Sequence, residues 1–175
     1  MQVLIDAFEA IRDFLELGGP VLRVIAFVIL IMWIMILERL IFFGTGLQQI
    51  IRDSFEAWEA RAERRSWHAH QVRAAIISRA KMAANQSIPM IQTLVALCPL
   101  LGLLGTVTGM ITVFQVMASA GTGNARSMAA GVSMATVPTM AGMVGALSGV
   151  FLVTILTRSA RRRIAMLEDD LTMDH

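Results

Sequence analysis

The sequence predicts an all-α membrane protein with three transmembrane helices. Charge segregation is the first reason. No Asp, Glu, Lys or Arg falls between Lys81 and Arg126, between Arg126 and Arg158, or between Arg23 and Glu38. Long uncharged apolar runs, above about 18 residues, indicate membrane-spanning helices. Composition is the second reason: 56% of the 175 residues are hydrophobic, which is high for a water-soluble domain. The third is a repeated pattern inside the two longest runs. "GLLGTVTG" (Gly102–Gly109) and "GMVGALSG" (Gly142–Gly149) both read G-x-x-G-x-x-x-G.

Residues 1–20 form an amphipathic segment. Leu4, Phe8, Ile11 and Leu15 make one helical stripe, with Asp6, Glu9, Asp13 and Glu16 off it. Such a helix lies at a membrane surface or packs on another subunit. Four acids this early do not suit a cleavable signal peptide. Gly18-Gly19-Pro20 ends the helix. The first span follows at 21–43, with Arg23 able to snorkel at one end and Glu38 and Arg39 marking the other interface.

Residues 44–87 are polar and densely charged. Phe55 with Trp58, and Val72 with Ile76 and Ile77, give apolar stripes of a helical hairpin broken near Ser66. His68 and His70 lie two apart without a Cys or acid pair, so they read as exposed helix residues and no metal site is expected. The second span is 88–118 and the third 127–157. About 30 residues make about 45 Å of helix, longer than the roughly 30 Å hydrocarbon core, so both helices extend into the cytoplasm. The turn at 119–126, within "SAGTGNARS", is short enough to make the two spans an antiparallel hairpin. The tail, 158–175, is basic first and acidic last.

Basic residues fix the orientation. The 44–87 loop and the tail carry ten of the fourteen arginines and the one lysine, whereas the N-terminal segment holds Arg12 and the turn holds Arg126. The positive-inside rule puts the loop and tail in the cytoplasm and the N-terminus in the periplasm. The basic runs at 61–65 and 161–163 serve that orientation first, and a bound phospholipid is compatible with them.

The glycine ladders point to helix packing through Gly102, Gly105 and Gly109 in the second span and Gly142, Gly145 and Gly149 in the third. Pro99 and Pro138 each remove one helical hydrogen bond and are candidate kinks. Hydroxyls accompany them: Thr106 in the second span and Ser133, Thr136 and Thr139 in the third. The pattern fits a packed bundle or the wall of a shared cavity. Neither long span has an Asp, Glu or His, the usual carriers of protons through membranes. If the chain conducts protons, a partner supplies the titrating carboxylate.

"PLLGLLGTVTGMITVF" and "AAGVSMATVPTMAGMVGALSG" resemble the second- and third-span signatures of the MotA/TolQ/ExbB proton-channel family. The Leu-Gly-Leu-Leu-Gly-Thr-Val core stands intact at Leu101–Val107. The three-span layout with a cytoplasmic loop matches too. The short chain, "IRDFLELGGPVL" and "CPLLGLLGTVTGM" look most like the short ExbB variant of TonB systems that work with TtpC. The resemblance implies a homo-pentamer whose second and third spans enclose an ExbD-like single-span dimer, which supplies an intramembrane Asp. It implies a proton-driven motor acting through TonB on outer-membrane import of iron-siderophore or haem complexes. It implies protons as the coupling ion, no cofactor, no nucleic-acid partner and a place in the bacterial inner membrane. It matches the family's pore threonines to Thr106 and Thr139. One departure stands out. The family's third-span glutamate falls at Met134, while the preceding Ser133 remains, and Pro138 stands where the usual pattern has no proline.

Within the family, a TolQ-like envelope-maintenance subunit or a flagellar stator subunit is the alternative. The 44–87 loop is small for the rotor engagement of a stator. An enzyme is not expected: the serines of "GVSMA" and "ALSG" have no His or Lys in either span to activate them. A purely structural scaffold predicts that the threonines are silent.

Overall fold

In a computed structural model, the described residues are 2–60, 67–120 and 125–170. They form six helices: α1 Gln2–Leu17, α2 Gly19–Gly44, α3 Gly46–Glu59, α4 Trp67–Asn85, α5 Ile88–Ala120 and α6 Ala125–Asp170. No strand occurs among them, so the fold is all-α. Three segments are long and apolar enough to cross a membrane, built around α2, α5 and α6. The basic run 61–65, the break at Ser66, the middle of the 119–126 turn and the tail end lie outside the described residues, as do the side chains of Leu4 and Phe8.

The element ends follow local chemistry. Gly19 has φ 67°, a left-handed conformation open to glycine at little cost, and Pro20 starts α2 with its fixed φ. At Thr45 both the backbone N–H and the hydroxyl donate to the Ile41 carbonyl, each at 3.1 Å, so α2 passes into α3 with only a one-residue interruption. Gln86 and Ser87 separate α4 from α5, and Ser87 accepts from the Ile91 N–H at 3.1 Å. Pro99 and Pro138 sit inside α5 and α6, and both helices run through them. Pro99 is exposed, whereas the Pro138 ring is fully buried.

The described residues divide into two compact units, and α2, α5 and α6 each contribute to both. The first joins residues 1–33 and 93–150. Its centre is an antiparallel seam between α5 and α6. All six ladder glycines are buried there. A Cβ placed on Gly142 would lie 2.5 Å from the Cys98 carbonyl oxygen, and one on Gly109 would lie 2.5 Å from the Ala135 Cα. A Cβ on Gly102 would stand 3.0 Å from the Thr139 Cα. These are backbone-to-backbone approaches that only glycine permits. Gly105 faces the Pro138 ring. The α2 helix closes the other side: a Cβ on Gly145 would meet Ile29 Cδ1 at 2.5 Å, and one on Gly149 would meet Met32 Sδ at 2.7 Å.

The second unit joins residues 34–92 and 151–175. Its core is Trp58, Ala69, Ile77, Ala80 and Leu167, with Ile51, Phe55, Val72 and Ile76 packed against it. The stripes of α3 and α4 meet here, and the C-terminal part of α6 adds Leu167. The Arg73 guanidinium donates to the Glu168 carbonyl at 2.6 Å, a cation placed on the last turns of α6 where the helix dipole favours it. Arg39 turns into the second unit. It is 4% exposed, donating through Nη1 to the Ala83 carbonyl at 3.2 Å and through Nη2 to Ser87 Oγ. Its guanidinium carbon stands 5.0 Å from the Phe42 ring centre, and its Nε has no hydrogen-bond partner. Arg39 thereby ties α2 to the α4–α5 junction with neutral acceptors only.

Two outcomes follow. Gly142→Ala forces a methyl onto a carbonyl oxygen, so overpacking of about 1–3 kcal/mol outweighs the roughly 1 kcal/mol that Ala gains over Gly in a helix. Gly44→Ala meets nothing within 4 Å and is neutral or stabilising. Thermal unfolding in mild detergent separates the pair, and equal midpoints would contradict the close seam. At Arg39, the order of stability is wild type, then Arg39→Met, then Arg39→Lys. Lys keeps a buried charge but cannot bridge two acceptors, which costs about 1.5–3 kcal/mol per lost charge-assisted bond. Met removes the charge together with its desolvation cost. Denaturation of the three forms checks the order, and a Lys variant more stable than the Met variant would refute it.

Candidate functional site: the hydroxyl row along the α5–α6 seam

The helical period puts Thr106 beside the ladder of α5, and Thr136 and Thr139 on successive turns of α6. Their hydroxyls are not equivalent. Thr139 is half-buried, and its Oγ1 donates across the seam to the Gly102 carbonyl at 3.0 Å. That bond exists because Gly102 has no side chain to keep α6 away. Thr106 is also half-buried, but its hydroxyl turns back to the Leu103 carbonyl of its own helix at 2.7 Å. Thr136 is exposed and back-bonds to Val132 at 2.7 Å. Ser133 is half-buried one residue before Met134. The structure thus brings Thr139 and the Gly102 backbone into direct contact and leaves Thr106 and Thr136 bonded within their own helices.

Back-bonding uses the hydroxyl proton and leaves the oxygen lone pairs free to accept from water. A row of such hydroxyls can order water. It cannot hold a proton at neutral pH. Pro138 sharpens the polarity of this region, because it has no N–H to donate to the carbonyl of Met134 four residues earlier. Two further threonines join the site that the family motifs did not single out. Thr108 Oγ1 donates to the Leu104 and Gly105 carbonyls at 3.1 and 3.0 Å, and Thr112 Oγ1 to the Thr108 carbonyl at 3.0 Å. With Gly109, Met134 and residues 18–21 they line a small cavity of about 70 Å³. Their i, i+4 spacing was visible in the sequence. Their meeting with the α1–α2 junction was not. No group of three or more His, Cys, Asp or Glu that could hold a metal ion occurs among the described residues.

Three apolar spans, a backbone seam built on two glycine ladders and a hydroxyl row define a membrane-embedded channel-type protein. Residues 42–169 match the MotA/TolQ/ExbB proton channel family, and the chain belongs to that family. It is 40% identical over 70 residues to a Synechocystis sp. protein named biopolymer transport protein ExbB-like 1, a match covering 38% of this chain and 28% of the relative. It is 32% identical over 80 residues to ExbB-like 3 of the same organism, covering 45% of this chain and 38% of the relative. The chain therefore spans well under half of the length of these relatives.

The seam makes a prediction about Thr139. Thr139→Val keeps the shape and removes one interhelical hydrogen bond, worth on average about 0.6 kcal/mol in membrane proteins. Assembly and the unfolding midpoint stay close to wild type, while proton flux through the assembled channel falls. A Val variant with full flux at normal expression would exclude a role for that hydroxyl.

Proposed function

We propose that this chain is the ExbB-like subunit of an inner-membrane, proton-driven motor. In this reading it forms a pentamer around an ExbD-like single-span dimer. The dimer brings the intramembrane aspartate, and the complex drives TonB to energise outer-membrane import of iron-siderophore or haem complexes. TtpC joins the complex in the subgroup that the sequence resembles most. The loop and tail are cytoplasmic and the N-terminus periplasmic. Protons are the coupling ion, and the chain performs no covalent chemistry of its own.

One observation carries the reading: a channel-family seam that orders hydroxyls yet has no Asp, Glu or His anywhere in α5, or in α6 before Arg158. Proton transfer through a membrane needs a titrating group at depth. The seam itself is filled by backbone contact, so the carboxylate has to come from another helix that enters the assembly. The small size of the 44–87 loop favours an uptake motor over a stator.

Purification from native membranes in mild detergent, with mass spectrometry of the copurifying chains, tests this. The expected result is a single-span protein with an Asp inside its span, together with TonB-like or TtpC-like chains. Recovery with TolR-like or TolA-like chains instead moves the function to envelope maintenance. Recovery of this chain alone in several detergents removes the proposed carboxylate and refutes the motor.

A further inference from the structure

The α1–α2 junction packs against α6 at Met134. A Cβ on Gly19 would lie 3.7 Å from Met134 Cε. Two crevices meet at this point. The outer one, about 460 Å³, is lined by Arg12, Leu15, Glu16, Gly19, Pro20, Arg23 and Met134. The inner one is the cavity of about 70 Å³ at Thr108 and Thr112. Gly19, Pro20 and Met134 line both. At about 30 Å³ per water, the inner cavity has room for about two waters. Around it stand Thr108 and Thr112, whose hydroxyl oxygens keep lone pairs free to accept from water. A water in so small a cavity needs polar partners, and the two threonine hydroxyls are the ones this wall offers.

Glu16 is the one carboxylate lining this pair of crevices. Its charged surroundings are few. On α1, Arg12 Nε stands 3.7 Å from Glu16, and Arg12 Nη2 stands 3.8 Å from Asp13. Arg23 comes from α2. From α6 the lining residue is Met134, and from α5 they are Thr108, Gly109 and Thr112, none of which titrates. The Glu16 side chain is 72% exposed, so no other residue of this chain covers the carboxylate.

We propose that Glu16 is the proton-collecting carboxylate of this chain, delivering protons past Met134 to water at Thr108 and Thr112. The inference rests on the proton-channel reading above. The step is a simple relay. The carboxylate takes a proton from hydronium outside, and the resulting carboxylic acid gives it to a water in the inner cavity; that hydronium passes the proton on to the aspartate of the proposed partner, and only O–H bonds form and break. Glu16 does this where the hydroxyls and the thioether cannot. The Arg12 and Arg23 guanidiniums keep the mouth hydrated and hold the carboxylate at its edge.

The test uses the whole complex from native membranes in proteoliposomes, with an inward proton gradient, a pH dye inside and the outside pH stepped. Glu16→Gln slows flux about tenfold and flattens its dependence on outside pH; the loss is smaller than for a buried acid–base group because bulk water remains a slower donor. Glu16→Asp keeps the wild-type profile. Met134→Glu in the Glu16→Gln background returns a carboxylate to the same crevice and restores flux. Gln flux and profile equal to wild type overturn the proposal. Equal losses in Gln and Asp with an unchanged pH profile also overturn it, because they show a structural role. An assembled double variant without rescue overturns it as well, by placing the effect of Glu16 outside the crevice. If Met134→Glu fails to assemble, the comparison of Gln with Asp decides alone. A wild-type complex without flux refutes the proton-channel reading and this relay with it.

Discussion

Backbone contact between α5 and α6 is the constraint from which the rest of the structure follows. In lipid no water is expelled when helices meet, so association depends on close packing and on polar groups satisfied between helices. Glycine supplies both. With no Cβ at Gly102, Gly109 and Gly142, carbonyls and Cα atoms of the two helices come within van der Waals reach. The same approach lets Thr139 donate to the Gly102 carbonyl. The bulky side chains of these helices, among them Leu100, Leu103, Phe114, Val144 and Phe151, are turned outward and stay exposed. A single chain therefore presents an apolar surface that only lipid or other chains can cover.

The seam is tight, its hydroxyls are bonded to backbone, and the second and third spans hold no acid. The two proline positions show how one residue type serves different ends. Pro99 faces outward, while the Pro138 ring fills the space opposite Gly105, so its missing N–H is accompanied by a packing gain.

The second unit is held by side-chain packing rather than by close backbone contact. There Trp58, Ile77 and Leu167 bury apolar surface in the ordinary way, worth about 25 cal/mol per Å² removed from water. Arg39 is its anomaly. Burying a guanidinium against neutral acceptors is costly, and the return is geometric: two directed bonds hold the α4–α5 junction on α2.

Much of this was legible in the sequence. Gaps between charges gave the three apolar helices, and the i, i+4 spacing of apolar residues gave the faces of α3 and α4. The small-residue ladders identified which faces of α5 and α6 could come together. These are local, periodic properties, and a helix displays them whatever it packs on. Partner choice is not periodic. Nothing in the sequence said that Thr139 bonds to Gly102 rather than to its own helix. Nor did it say that Arg39 turns inward, that Leu167 of the tail closes the Trp58 core, or that Glu16 and Met134 share a crevice with Thr108 and Thr112. Each of those depends on residues tens of positions apart meeting in three dimensions. The sequence alone determined which segments are helical, which are apolar and where backbones can touch. Only the tertiary structure decided which polar atoms meet, because a hydrogen bond is set by distances of a few tenths of an ångström that no spacing rule contains.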